Sequence, residues 1–419
     1  MTGQALVRVR RFARQVDKAT PPNRDRVVDA LRALAIAGVI GGHWLVTALV
    51  PNSGSDGPAL HDASPLASMP ALAPVSWIFQ TLALFFLVGG YSAARGYRGG
   101  YLGWLRKRLA RLVRPVAVLA AVWVPVTAGL FLAGCPSGIM HTLLTLVVDP
   151  LWFVGVYAAL TALTPAAIWL ARRFGAWAAA FPVAIVAVVD LVRFGVHGPG
   201  WVGWINLPAG WLVPYLLGVA WAGGALRGRK GPALMLAGGV AATAALIILA
   251  GYPASMVGVN GAAISNLNPP TIAAVTFGLA QCGLALLMRD RLARWMRRPL
   301  AWAAVATVNL SAMTLFLWHQ TAFIMVTSLG TLAGHVPGLL TAPTSAAWVA
   351  ERLAWLPVFA VFLTGLWLMF RGLEHARSPR RRFPGDQPSS RARGRKQDTD
   401  TVTGTPRPSI AGGTGISPT

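Results

Sequence analysis

Apolar runs recur along the whole chain, separated by short stretches rich in Gly and Pro or in Arg and Lys. A helix needs about 20 largely apolar residues to cross the hydrocarbon core of a bilayer. Segments that satisfy this lie near 28–50, 74–94, 112–134, 150–171, 175–192, 205–224, 232–251, 270–288, 300–327 and 348–371. The pattern predicts an all-α, polytopic membrane protein with about ten transmembrane helices. An even number of spans places both termini on one side. The fifth run is the shortest, and no internal repeat is visible.

The basic residues test this count independently. Connections expected inside are "RGYRGGYLGWLRKRLARLVR", "RRF", "RGRK" and "RDRLARWMRR", together with both tails. Those expected outside are "PNSGSDGPALHDASPLASMPALAP", "CPSGIMHTLLTLVVD", "RFGVHGPGWVGW", "YPASMVGVNGAAISNLNPP" and the stretch around "GTLAGHVPGLLTAPTS", which hold Arg193 and almost nothing else basic. Alternate connections are therefore basic along the whole chain, which fixes a topology with cytoplasmic N and C termini.

Composition agrees with a membrane protein. Of 419 residues, 55% are hydrophobic and 12% charged, and the mean hydropathy is +0.56. The formal net charge of +24 would invite a nucleic-acid partner in a soluble protein. Here the cations sit in short runs between apolar segments, without interleaved aromatics on one solvated surface, so they set topology and no nucleic acid is expected. The cysteines, Cys135 and Cys282, support neither a disulfide framework nor a metal site. Residues 1–27 carry "RVRRFARQ" and "NRDR" without a cleavable leader pattern, and read as a basic cytoplasmic arm before an uncleaved first span. The membrane domain is expected over 28–375. Beyond it, 376–419 is Pro-, Gly-, Ser- and Arg-rich, and is expected to be a disordered basic cytoplasmic tail.

Ionisable residues inside spans are rare and are functional candidates by default. The main ones are Asp29, Arg32, His43, Asp190 and His319. Asp190 lies near the outer end of its span beside Arg193, as a local pair. Arg32 and His43 are eleven residues apart, about 1100° of helical rotation, which puts them on one face about 16 Å apart along the axis. Arg32 belongs near the inner end and His43 deeper, toward the outer half. Asp29 precedes Arg32 by three residues and is placed to orient it. His319, in "NLSAMTLFLWHQ", matches His43 in depth; the competing reading is an interfacial Trp318–His319 pair in an aromatic belt.

The third span opens on a run of cations, Arg106, Lys107, Arg108, Arg111 and Arg114, before Pro115. Arg108 and Arg111 are one turn apart and share a face suited to phosphate groups. Positive-inside anchoring accounts for the same residues without a ligand.

These residues resemble a known family. Arg32, ten residues, then His43 is similar to the Arg-x10-His signature of the acyltransferase-3 family of integral-membrane acyltransferases. In order along the chain, "ALFFLVGGYSAARGY", "RKRLARLVRP", "DPLWFVGVYAALT", "FLWH" and "RGLEHARSP" resemble further family segments, the last supplying Glu374. The resemblance spans roughly 25–380. Val88-Gly89-Gly90 departs from the usual Leu-Ser-Gly, and Phe316 stands where tyrosine is common. The expectation is the membrane domain alone.

The resemblance implies an enzyme of the bacterial plasma (inner) membrane. It would transfer a short acyl group, often acetyl, from acyl-CoA to a hydroxyl of a glycan, lipid-linked sugar or secondary metabolite. Acyl-CoA is the donor substrate, and no bound cofactor is expected. In this reading His43 is the general base or a transient acyl carrier, His319 assists, Arg32, Arg108 and Arg111 bind the donor or stabilise developing charge, and Asp29 and Glu374 orient. The competing class is a polytopic transporter or flippase. Asp29, Asp149 and Asp190 lie near span ends and no halves match, whereas ion-coupled transporters favour midplane carboxylates and repeated halves.

Overall fold

The first membrane helix begins where Asp25 caps it, its side chain accepting from the backbone N–H groups of Val27 and Val28. Such a cap satisfies donors that a helix start leaves open. This helix, α2, runs Arg26–Val46 and follows α1, Gly3–Ala19. The computed structural model describes residues 3–54, 57–259, 261–262, 264–334 and 336–374. The expected tail, 376–419, lies outside the described residues. After α2 comes an antiparallel hairpin, β1 Ala48–Gly54 and β2 Gly57–Ala63, in a register that pairs Ala48 with Ala63. Two one-turn helices, α3 Pro65–Ser68 and α4 Ala73–Ser76, lead to α5 Leu82–Gly96. Then follow α6 Tyr101–Leu132, α7 Ser137–Val148, α8 Leu151–Ala162, α9 Thr164–Phe174 and α10 Ala180–Asp190. The chain continues through α11 Asn206–Ala222, α12 Lys230–Leu249, α13 Ile272–Trp295, α14 Pro299–Leu310, α15 Ala312–Leu332 and α16 Ala346–Glu374.

Among the described residues, nine helical stretches are long and apolar enough to cross a membrane, and α5 and α14 are shorter apolar helices. The stretch 164–195 is nominally continuous, yet Gly175 breaks it with φ +61°, a backbone angle that favours glycine. Gly175 shares a cavity with Arg95, Tyr97 and Gly223 to Ala225, whereas Pro150 and Asp190 lie at the other end of the bundle. The chain therefore descends through α8 and α9, turns at Gly175 and returns through α10, as the expected fourth and fifth spans require.

The same reasoning groups the connections. Arg26 Nη1 donates to the Met296 carbonyl (3.0 Å), and Arg289 Nη1 to that of Leu226 (3.0 Å). The basic connections thus gather at one end. At the opposite end the hairpin meets α7, Thr142 Oγ1 donating to the Leu60 carbonyl (2.7 Å). Trp77 and Gln80 there donate to the carbonyls of Ala254 and Met256. These two faces are the basic end and the far end of the bundle.

Several expectations are corrected. The second span begins at Leu82 rather than 74, because Pro65, Pro70 and Pro74 favour starting short helical turns over continuing a long helix. "CPSGIMHTLLTLVVD" is mostly helical, as α7, and the first outer connection contains the hairpin. The ninth span is two helices, broken at Ser311, whose hydroxyl accepts from Trp367 Nε1. The basic arm is the packed helix α1: Ala13 is buried, Asp17 pairs with Arg26 (2.7 Å), and Thr20 Oγ1 accepts from Trp302 Nε1 (2.7 Å) on α14.

The core lies where α5 crosses α11. A Cβ at Gly90 would collide with the Tyr215 carbonyl oxygen, and one at Gly218 with that of Leu87. Small residues let two helix backbones approach closely where no water-driven force presses them together. The Val88-Gly89-Gly90 departure therefore has a packing role. In α11 and α15 67% of the apolar window is buried, against 17% in α6, α12 and α16, so the first pair is central and the other three face lipid.

Asp190 is more than half of a local pair. It accepts from Asn206 Nδ2 (2.9 Å), Tyr252 Oη (3.1 Å) and the Ile272 backbone N–H (2.8 Å), with Arg193 at 3.7 Å. One buried carboxylate thereby ties α10, α11, the connection after α12 and the start of α13 at the far end.

Candidate active site

Arg32 and His43 both face the broken span formed by α14 and α15. Arg32 Nη1 reaches Asn309 Oδ1 on α14 (3.3 Å), and His43 Nδ1 lies 3.3 Å from Gln320 Nε2 on α15. The shared face expected from an eleven-residue spacing is present, and it points at neighbouring helices of the bundle.

At the basic end, Arg32 is held on three sides. Asp29 Oδ1 lies 3.2 Å from Nη1, and Nη2 donates to Ser92 Oγ (2.6 Å) on α5. Asp29 is shared, its other oxygen pairing with Arg24 Nε (2.5 Å), while its backbone carbonyl accepts from Asn309 Nδ2 (2.7 Å). Arg108 Nη2 donates to the Ser92 carbonyl (2.9 Å), and its guanidinium lies 5.4 Å from the Trp104 ring centre. Ser92 thus accepts from both cations, through its hydroxyl from Arg32 and through its carbonyl from Arg108. Two guanidinium groups on one neutral residue leave positive charge for an anion to neutralise. Arg111 is exposed and near enough for its charge to act on Arg108.

Toward the far end, His43 lines a cavity of about 470 Å³ together with Gln80, Asp149, Trp152, Phe316 and Gln320. Gln320 is only 3% exposed, and its Oε1 has no hydrogen-bond partner. His319 packs against His43, with ring centroids 5.1 Å apart and planes tilted by 49°, but is fully buried and is not part of the cavity wall. Its Nδ1 lies 2.5 Å from the Phe316 carbonyl, which only a protonated Nδ1 can bond, leaving Nε2 unprotonated in the neutral ring and unpartnered. The aromatic-belt alternative fails for its neighbour: Trp318 is 2% exposed and stacks on Phe370 at 4.0 Å. Among the described residues, the two histidines have no companions with which to hold a metal ion.

Arg352 escaped the sequence reading. It is fully buried on α16 and donates to the carbonyl of Thr47, at the end of α2. Its guanidinium lies 5.0–5.4 Å from the rings of Phe323, Trp348 and Phe359. Its position near the end of an apolar run disguised it as an ordinary boundary cation. Ser92, Asn309 and Gln320 were missed as well; the last directly follows His319, and a second polar residue at that depth was the available signal. Glu374 ends α16, and its side chain lies outside the described residues.

The basic end holds a second cavity, of about 640 Å³, lined by Arg95, Tyr97, Arg172 and the turns at Gly175 and Gly223. Arg108 and Arg111 are not on its wall.

No curated protein and no solved structure matches the chain. The family model described as the acyltransferase domain matches residues 25–371. That stretch begins at the cap of α2 and runs into the last turns of α16, so it contains both cavities and Arg32, His43, Arg108, His319, Gln320 and Arg352. The chain belongs to the acyltransferase-3 family and is a multi-pass membrane acyltransferase.

Proposed function

We propose that the protein transfers a short acyl group, acetyl in the first instance, from an acyl-CoA arriving at the basic end to a hydroxyl presented in the far-end cavity. The observation that carries this reading is the placement of His43. Among the described residues it is the one imidazole on the wall of that cavity, and it shares a helix face with an arginine that reaches the basic end.

The chemistry follows from that placement. The acceptor oxygen attacks the thioester carbonyl, a C–O bond forms, and the C–S bond breaks. His43 takes the hydroxyl proton and returns it to the departing thiolate, which leaves as CoA thiol. Abstraction at Nε2 needs the proton of the neutral ring on Nδ1. The carbonyl end of the Gln320 amide accepts that proton once the amide is turned by 180°, a rotation that exchanges O and N at the same two positions. Gln320 then fixes the tautomer, as an orienting partner does in other histidine bases. His319 packs behind His43 and holds its ring in place.

Arg32 and Arg108 bind the negatively charged donor, with Arg111, Arg95 and Arg172 strengthening the field at the basic end. Asp29 keeps Arg32 extended along the helix. The bacterial inner membrane, with the basic end cytoplasmic, is the location this orientation fits.

The experiment is transfer of labelled acetyl from acetyl-CoA by purified protein in liposomes, wild type against His43→Ala. Loss of transfer in a folded H43A protein supports the reading. Full activity in H43A overturns the role of His43, and substrate movement across the liposome without acyl transfer overturns the enzyme reading in favour of a transporter.

A further inference from the structure

The first helix has two faces, and the bundle covers only part of one. Turned at about 100° per residue, α1 gathers Leu6, Val9, Phe12, Ala13 and Val16 within about 120° of arc. Its cations, Arg8, Arg10, Arg11, Arg14 and Lys18, take the opposite side, with Val7 the one large apolar residue among them. The positive-inside rule accounts for the sign of these charges but not for their segregation at a helical period. Of the apolar arc, Ala13 is buried, and Val16 packs against the cluster of Ala30, Met296 and Trp302. Leu6, Val9 and Phe12, on the same side, are each 44–52% exposed.

Contacts with the bundle fix where this open face lies. Trp302 Nε1 donates to Thr20 Oγ1 (2.7 Å), Asp17 pairs with Arg26 (2.7 Å), and the Arg26 guanidinium lies 4.7 Å from the Trp302 ring centre. Residues 20–25 join α1 to α2, the first helix long and apolar enough to span, so α1 sits where that helix enters the bilayer at the basic end. Among the described residues, none of the cations of α1 pairs with a carboxylate. Open apolar side chains backed by unpaired cations, beside the start of a span, are the arrangement of a helix lying in the headgroup layer. Basic residues held at that level are attracted to the phosphates of an anionic leaflet.

We infer that α1 is an interfacial lipid-binding helix whose partner is an anionic phospholipid leaflet. Leu6, Val9 and Phe12 enter the boundary of the acyl chains and complete the cover that α14 gives to Ala13 and Val16. Arg8 and Arg10 flank the apolar arc and reach lipid phosphates, while Arg11, Arg14 and Lys18 add to the attraction. This surface precedes residues 25–371, the stretch the family model matches, and it requires nothing of the proposed acyl transfer.

The test follows amide hydrogen exchange over residues 3–19 of the full-length protein. Single copies are placed in nanodiscs of phosphatidylcholine and in nanodiscs of an equal mixture with phosphatidylglycerol. Exchange of α1 is expected to be about tenfold slower in the mixture, a difference that shrinks as salt screens the phosphates. Arg8→Gln, Arg10→Gln, Arg11→Gln and Arg14→Gln together are expected to erase that difference, and Arg10→Gln with Arg14→Gln, a milder variant, to reduce it. Leu6→Gln, Val9→Gln and Phe12→Gln together are expected to speed exchange of α1 in both lipids. Peptides from α13 should exchange alike in every variant, which reports an intact bundle. Equal exchange of α1 in the two lipids overturns the inference, as does a difference that survives both charge variants. Slowing that appears only in discs holding two copies assigns the open face to a second copy of the chain and overturns it too.

Discussion

His43 and His319 stand ring against ring across two helices, their centroids 5.1 Å apart and their planes inclined at 49°. Only His43 reaches the cavity; His319 is sealed behind it and tied to the Phe316 carbonyl. The pair therefore divides into a residue that can meet substrate and one that can only support it. His43→Ala is expected to lower acyl transfer by at least about 100-fold, the lower end of what a positioned base contributes. His319→Asn is expected to lower kcat by a smaller factor with little change in KM for either substrate. Steady-state kinetics on both variants check this, and a larger loss from His319→Asn than from His43→Ala would reverse the assignment.

Gln320 touches His43 and borders the cavity. Gln320→Leu keeps much of the volume but removes the bond to Nδ1. About a tenfold fall in kcat is expected, corresponding to about 1.4 kcal/mol of lost orientation, with donor affinity unchanged. Gln320→Asn, with a shorter reach, should recover less than half of the loss. An unchanged kcat in Gln320→Leu would show that His43 needs no such partner.

Arg32 and Arg108 converge on Ser92, and among the described residues Asp29 is the one carboxylate paired with either. Arg108→Ala is expected to raise KM for acetyl-CoA about tenfold and to flatten its dependence on ionic strength, because phosphate contacts are screened by salt. Arg32→Ala should lower kcat as well as donor affinity, since Arg32 lies on the His43 face. Binding of acetyl-CoA to the protein, followed directly by calorimetry, separates the two effects. Donor affinity that survives Arg108→Ala and Arg111→Ala together would remove the donor site from this end.

The α5–α11 crossing depends on two missing side chains. Gly90→Ala and Gly218→Ala are each expected to destabilise the protein by about 1–3 kcal/mol, the usual range for overpacking. Each added methyl meets a carbonyl of the facing backbone, which cannot give way. Gly129, on the lipid-facing helix α6 with open space at its Cβ position, is the control, and Gly129→Ala should be neutral or slightly stabilising. Thermal unfolding in detergent measures all three.

Arg352 clamps the end of α2 from inside a ring of aromatic residues. Arg352→Ala should destabilise by about 3 kcal/mol or more through the cavity it leaves and the freed Thr47 carbonyl. Arg352→Met, which refills the space, should recover most of the stability. It is expected to keep a lower kcat, because the last turn of α2, which carries His43, loses its tether. Unfolding temperature and kcat on the same preparations distinguish packing from positioning.

The chain alone determined the all-α bundle and the gathering of its basic connections. Apolar runs of bilayer length and the alternation of basic connections are local properties, so an all-α polytopic bundle and a shared basic end were legible from composition along the chain. The eleven-residue spacing of Arg32 and His43 fixed their common face for the same reason, since helix geometry depends only on position. Four matters depended on contacts between segments distant in sequence, which no local pattern encodes. Pairing of α5 with α11 through Gly90 and Gly218 set where the core lies. The break at Ser311 let one span supply Asn309 to Arg32 and Gln320 to His43. Burial kept His319, expected to assist beside His43, off the wall of the cavity that His43 lines. Convergence of the far-end connections placed Asp62 and Asp149, 87 residues apart in the sequence, on the same wall as His43, and charge gathered in that way exists only once the chain has folded.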